Sequence, residues 1–69
     1  MSRYLVVVEK AKNNFAAYLP DVPGCVATGK TRAETLERMR KAFGMHIAGL
    51  KADGMPVPEA VSSGDYVGI

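Results

Sequence analysis

The hydrophobic pattern of the first thirty residues predicts three short β-strands. Residues 3–9 place apolar side chains on both faces, which is typical of a central strand covered on both sides. Residues 15–19 form a second apolar run, and residues 25–28 form a third. The connections are short, and Asn13 and Asn14 in the first one tolerate turn geometry. The three strands are therefore expected to form an antiparallel meander.

A long amphipathic helix is predicted from Thr31 to about Asp53. Apolar residues recur there at spacings of three and four, which gives one stripe along a helix. Thr31 and Glu34 have the spacing of a capping box. Gly54 supplies a residue that adopts left-handed geometry at the helix end, so the helix is expected to stop there. The stripe consists of Leu36, Met39, Phe43, Ile47 and Leu50.

The order of elements predicts an α+β fold. Tyr66–Ile69 is the expected last strand, so the order is β-β-β-α-β. A right-handed crossover through the helix places the last strand parallel to the first. This arrangement is a four-stranded mixed sheet of order 3-2-1-4 with one helix on one face. Because one helix cannot cover both faces, we expect a homo-oligomer, either a dimer or a tetramer.

Composition limits the chain to one small domain. With 69 residues, 48% of them hydrophobic, the chain predicts a single folded domain over residues 1–69. The single cysteine excludes an internal disulfide and fits a reducing compartment. The longest apolar run, Leu5 to Val8, is too short to span a membrane, and no signal peptide is evident. We therefore expect a cytoplasmic protein with no membrane association.

The residues that could act in catalysis have no recognisable nucleophile, base or orienting carboxylate paired with them in the sequence. His46 lies at the margin of the apolar stripe, and neither a nucleophile nor an orienting carboxylate is linked to it. Cys25, between Gly24 and Val26, fits a small buried apolar residue. Cysteine, histidine and carboxylates do not occur at metal-ligand spacing, so neither a metal nor a cofactor is expected. A hydrolase or nuclease is accordingly disfavoured.

The solvent side of the helix is the candidate partner-binding surface. Glu34 with Arg38, and Glu37 with Lys41, are spaced as ion pairs one helical turn apart. Met45 falls on the same side, where an apolar residue suits an interface. We call this set the outer helix face; it comprises Glu34, Glu37, Arg38, Lys41 and Met45.

Nucleic-acid binding through basic side chains is the alternative to a protein partner. The net charge of +2 permits an anionic partner without arguing for one. The interleaved glutamates dilute the positive charge, so nucleic acid is less favoured than a protein partner. The basic residues in question are Lys10, Lys12, Lys30, Arg32 and Arg38.

The connection between the second and third strands carries the most distinctive motif. In Leu19-Pro20-Asp21-Val22-Pro23-Gly24-Cys25, two prolines interrupt regular pairing, and the glycine has access to otherwise closed backbone angles. Further matching segments are Phe15 to Tyr18, Ala27 to Thr31, His46-Ile47, Gly49-Leu50 and Asp53 to Glu59. In this order the motifs resemble the HicB-like antitoxin family. The residues assigned structural roles are Pro23, Gly24, Cys25, Thr31, Phe43, His46 and Gly54.

The resemblance implies a fold like a reduced ribonuclease H sheet without its catalytic acids. It also implies an antitoxin-like module that binds and neutralises a HicA-like toxin, a small enzyme that cleaves messenger RNA. Such proteins tend to self-associate and have no catalytic activity in this role. The alternative is a stand-alone nucleic-acid-binding or regulatory oligomeric domain without a toxin partner.

Overall fold

A computed structural model, which describes residues 2–69, contains a three-stranded sheet and one helix. The strands are β1 (Val7–Lys10), β2 (Phe15–Tyr18) and β3 (Val26–Gly29), and the helix α1 spans Arg32–Ala52. The sheet is antiparallel with the order β1-β2-β3, so the predicted meander is present. Met1, the first residue of the predicted domain, lies outside the described residues.

The helix packs on β2 and β3, and one face of the sheet supplies the core. Val8 pairs with Ala17, and Ala17 pairs with Ala27, so these three side chains share the face beneath α1. Met39 is only 2% exposed and is the largest side chain that is fully buried. The buried apolar cluster consists of Ala17, Leu19, Val22, Cys25 and Met39, with half-buried Tyr4, Val6, Val8, Ala27, Ala42 and Phe43 packed against it.

A close approach between β3 and the first turns of α1 fixes the position of the helix. A Cβ atom on Gly29 would lie 2.7 Å from Thr35 Oγ1 and 2.9 Å from the Thr35 backbone nitrogen. Thr35 itself is fully buried, and its hydroxyl donates to the Thr31 carbonyl at 2.7 Å. Any larger residue at position 29 would therefore push the helix away from the sheet.

Local hydrogen bonds satisfy both ends of α1. Thr31 Oγ1 accepts from the Glu34 N–H at 3.0 Å, and Glu34 Oε1 accepts from the Lys30 N–H at 3.4 Å. At the other end, Gly54 has a φ of 69°, and its N–H donates to the Lys51 carbonyl at 3.1 Å. The Met55 N–H donates to the Leu50 carbonyl at 2.9 Å, which completes a Schellman motif.

The predicted four-stranded mixed sheet of order 3-2-1-4 is wrong. Residues 55–69 contain no strand, and β1 pairs only with β2 within the described residues 2–69. The predicted strand at Tyr66–Ile69 is instead exposed irregular chain, with Tyr66 97% accessible to solvent. The first strand is also shorter than predicted, since its ladder begins at Val7 rather than at Arg3.

Contacts hold the C-terminal segment near the start of β1 without pairing it to the sheet. The Tyr4 hydroxyl donates to the Pro58 carbonyl at 2.6 Å. Further on, Gly64–Tyr66 and Leu5–Val8 line a common cleft of about 440 Å³, and within residues 2–69 no ladder pairs the two stretches.

Asp21 fastens the same segment a few residues further on. Its Oδ1 accepts from the Ser62 hydroxyl at 2.7 Å, and its Oδ2 accepts from the N–H groups of Ser62 and Val61 at 2.8 and 2.9 Å. The Ser62 hydroxyl and then the Ser62 N–H, with help from the Val61 N–H, lower the pKa of the Asp21 carboxyl. A lowered pKa means that this clamp stabilises the fold at neutral pH and is lost as the pH falls through the lowered value.

Replacing the buried methionine tests the packing of the helix on the sheet. Met39→Ala should lower the free energy of unfolding by about 2–5 kcal/mol, because it leaves a cavity among Ala17, Leu19 and Cys25. Met39→Leu keeps the volume and should cost less than about 1.5 kcal/mol. Urea denaturation measures both, and equal stability of the two variants would contradict the described core.

Removing the Asp21 carboxylate tests the clamp. Asp21→Ala should speed amide hydrogen exchange at Val61 and Ser62, because their N–H groups lose their acceptor. In the unaltered chain, the Ser62 amide shift should titrate at a pH below the usual range of an aspartate carboxyl, because the bonds from Ser62 and Val61 lower the pKa of Asp21. Asp65→Ala is the control, since Asp65 accepts only from the neighbouring Tyr66 N–H. Unchanged exchange at Val61 and Ser62 in Asp21→Ala would refute the clamp.

Candidate partner-binding surface

Three members of the outer helix face, Glu37, Lys41 and Met45, point away from the sheet, whereas Arg38, paired with Glu34, reaches the backbone of β3. Thr35 and Met39 face the core, whereas Glu37, Lys41 and Met45, spaced four residues apart, are exposed. Met45 is 76% accessible to solvent. The structure therefore places an exposed apolar side chain at the C-terminal end of an accessible strip whose other members are charged.

Glu34 and Arg38, two members of the outer helix face, connect the helix to β3. Arg38 Nη2 lies 3.0 Å from Glu34 Oε1, so the ion pair predicted between them is present. Arg38 Nη1 also donates to the Thr28 carbonyl at 3.0 Å. Glu34 also accepts from the Lys30 N–H at 3.4 Å, so both side chains lie at the edge of the face beside the β3–α1 junction.

Glu37 pairs with a different residue from the predicted one. Its Oε2 lies 3.5 Å from Arg40 Nη1, one turn along the helix, instead of pairing with Lys41. Both side chains of this pair are largely exposed, so water and salt screen the attraction and it contributes little to stability. The Glu37 carboxylate can therefore exchange this contact for one with a partner at small cost.

Cys25 and His46, the two residues weighed for chemistry, lie in different surroundings. Cys25 is buried, with its Sγ 3.8 Å from Met39 Sδ, and burial raises the pKa of its thiol. A raised pKa keeps the thiol protonated at neutral pH, which makes it a poor nucleophile. His46 is half-buried on α1.

The sequence predicts structural roles for Phe43, Pro23 and Gly24. Phe43 is half-buried and packs against Tyr4, with ring centroids 4.9 Å apart at an angle of 53°. Gly24 has a φ of 84°, which closes the turn after the exposed Pro23. The Cys25 N–H then donates to the Val22 carbonyl at 3.3 Å, so the turn leads Cys25 into the core.

Within residues 2–69, no three histidine, cysteine or acidic side chains come together as a metal site. Over the same residues, no helix is both long and apolar enough to cross a membrane.

The sheet presents a second uncovered surface on the side opposite α1. Val7 pairs with Tyr18, and Tyr18 pairs with Val26, so these side chains share the face away from the helix. Tyr18 is 40% exposed and Val26 is 66% exposed. We call Val7, Ala16, Tyr18 and Val26 the outer sheet face; it is the surface that a single helix leaves open.

Sequence reasoning missed the role of Asp21 as a clamp. The residue was noted only as part of the Pro-rich turn, and its partners are 40 and 41 residues away along the chain. A turn aspartate ordinarily bonds its own neighbouring backbone. Local spacing therefore carried no signal of this contact.

Comparisons with known proteins relate nearly the whole chain to one family. The model described as the HicB-like antitoxin of bacterial toxin-antitoxin systems matches residues 4–67. An uncharacterized 14.9 kDa protein from the rep-hol intergenic region of Haemophilus phage HP1 is 30% identical over 64 residues, covering 93% of this chain and 48% of the phage protein. A UPF0150 protein of Helicobacter pylori is 36% identical over 47 residues, covering 68% of this chain and 65% of that protein.

One solved structure shares both fold and sequence with the chain. A chain of the HicA3 and HicB3 toxin-antitoxin complex matches with a TM-score of 0.73 and 32% identity, covering 87% of this chain and 70% of that one. The present chain thus spans about half the length of the phage protein and about two thirds of the Helicobacter protein.

Proposed function

We propose, because this chain belongs to the HicB-like antitoxin family, that it binds and neutralises a HicA-like toxin that cleaves messenger RNA. The observation that carries the proposal is the 32% identity and common fold with a chain of a solved toxin-antitoxin complex. In this role the chain acts by occluding the toxin and performs no catalysis of its own. A buried, protonated Cys25 agrees with such a role.

The outer helix face is the proposed contact surface for the toxin. Met45 offers an exposed apolar anchor, and methionine is enriched at protein–protein interfaces relative to the rest of the surface. Glu37 and Lys41 precede it on the same side of the helix, and the Glu34–Arg38 pair lies beside β3. The Glu37 carboxylate, whose exposed pair with Arg40 is weak, is available to contact a basic group of the toxin.

Substituting the proposed anchor tests the contact. Met45→Lys retains a good helix former but should weaken binding of a HicA-like protein by at least about tenfold, because it places an ammonium group in an apolar contact. Val67→Lys is the matched control, as Val67 is equally apolar and highly exposed but lies outside the helix. The measurement is co-purification and calorimetry with the protein from the adjacent reading frame.

A second substitution separates size from charge at the anchor. Met45→Leu keeps an apolar side chain of similar volume and should bind nearly as well as the unaltered chain. If Met45→Lys and Val67→Lys bound the toxin equally well, the outer helix face would not be the contact surface. Failure of any complex to form would reject the antitoxin role itself.

We also propose that the chain forms a homo-oligomer, a dimer or a tetramer, through the outer sheet face. One helix covers only the other side of the sheet, and Tyr18 and Val26 remain open to water. Exposed contiguous apolar surface of this kind marks interaction sites. A chain of 69 residues also buries little surface alone, so association adds stability.

Changing the charge of the outer sheet face tests the oligomer. At micromolar concentration the unaltered chain should sediment with at least twice the mass of one copy. Val26→Asp should shift it toward a single copy, because an unpaired carboxylate would be buried in the interface. Val67→Asp, at an exposed position outside the sheet, should leave the mass unchanged. A single-copy mass for the unaltered chain would refute the proposal.

A further inference from the structure

An open surface cleft lies at the end of the sheet opposite the Asp21 clamp. It has a volume of about 580 Å³, and two segments form it: the β1–β2 loop with Lys12, Asn13 and Asn14, and the junction between β3 and α1. Lys10, Phe15 and Gly29 pair across the sheet at this end, which brings the two segments together.

The charges that line the cleft favour an anion. Lys12, Lys30 and Arg38 are cationic, and Glu34 is the one carboxylate among the lining residues. That carboxylate is already neutralised, because Arg38 lies 3.0 Å from it and the Lys30 N–H donates to it. Lys12 and Lys30 form no ion pair among the described residues 2–69, so their ammonium groups remain for a ligand.

Hydrogen-bond donors accompany the charges. The β1–β2 loop is closed by the Ala11 N–H, which donates to the Asn14 carbonyl at 2.8 Å. In the part of the chain that the structure describes, the amide side chains of Asn13 and Asn14 make no bond to the protein, although both line the cleft. Amides and lysines together are the groups that contact phosphate oxygens in protein–nucleic acid interfaces.

We infer that this cleft binds the phosphate groups of a nucleic-acid backbone. The lining contains cations and amides but no aromatic side chain, so it has no platform for stacking bases. Recognition is therefore of the phosphate groups, largely independent of base sequence and strongly dependent on salt. Lys12 and Lys30 lie outside the outer helix face, so this inference does not rest on toxin binding.

Charge-neutralising variants test the site with defined probes. Fluorescence anisotropy of a labelled uridine octamer, with a thymidine octamer as the DNA arm, should detect binding at about 50 mM salt. Lys12→Gln/Lys30→Gln should weaken that binding about tenfold. It should also flatten the slope of log affinity against log salt by about 1.4, since each single-strand phosphate contact contributes about 0.7.

A control with the same net charge separates the cleft from general attraction. Arg3→Gln/Lys51→Gln removes two exposed cations that do not line the cleft, and it should change affinity by less than about twofold. Equal losses in the two double variants, or no binding by the unaltered chain, would overturn the inference. Preference for one octamer over the other identifies RNA or DNA as the source of the backbone.

A measurement on the unaltered chain keeps the inference testable if a variant fails to fold. Addition of the uridine octamer should shift backbone amide resonances at Asn13, Asn14 and Thr28–Lys30, and leave those of Met45 and Ala48 in place. Shifts confined to other residues would reject the cleft as the site. Toxin binding by Lys12→Gln/Lys30→Gln should be retained, which distinguishes failure of this inference from failure of the antitoxin proposal.

Discussion

The packing of one helix on one face of a three-stranded sheet is the constraint on which this molecule depends. Gly29 allows α1 to approach β3 until Thr35 is fully buried, and Met39 then fills the space above the sheet. The hydrophobic core is consequently small and lies on one side only. A domain of this size has a small free energy of unfolding. The surfaces available for binding are those that this one-sided core leaves uncovered.

Two surfaces remain uncovered, and both fit a protein whose activity is binding. The outer helix face combines Met45 with charged neighbours, and the outer sheet face presents Tyr18 and Val26. The family relation connects such a module to toxin-antitoxin pairs. In our account the helix meets the toxin and the sheet meets a second copy, so the two contacts do not compete for the same residues.

The sequence predicts local structure here better than long-range structure. The helix followed from the spacing of Leu36, Met39 and Phe43, and its N-terminus from Thr31 and Glu34, because these signals act within a few residues. The fourth strand failed because Tyr66–Ile69 is suited to a strand by composition, whereas its path is set by distant contacts at Tyr4 and Asp21. Whether residues 66–69 pair with β1 depends on where these distant contacts place their backbone, and the local residue pattern does not encode that placement.

The candidate site shows the same division. The Glu34–Arg38 pair was predictable from its helical spacing, whereas the bond from Arg38 to the Thr28 carbonyl depends on how the helix lies on β3. The spacing of Glu37 and Lys41 predicted an ion pair between them, which is wrong, because the Glu37 carboxylate lies beside Arg40 instead. The outer helix face was thus predicted from the pattern, and the contacts of its side chains became apparent only in three dimensions.

The central claim is that α1 binds a toxin through Met45, and methyl NMR tests it most directly. In a chain labelled at the methionine methyl groups, adding the HicA-like protein should shift the Met45 resonance and protect it from a soluble paramagnetic probe. The buried Met39 serves as an internal reference and should change little. Formation of a stable complex with the Met45 methyl group still fully accessible to the probe would contradict the account.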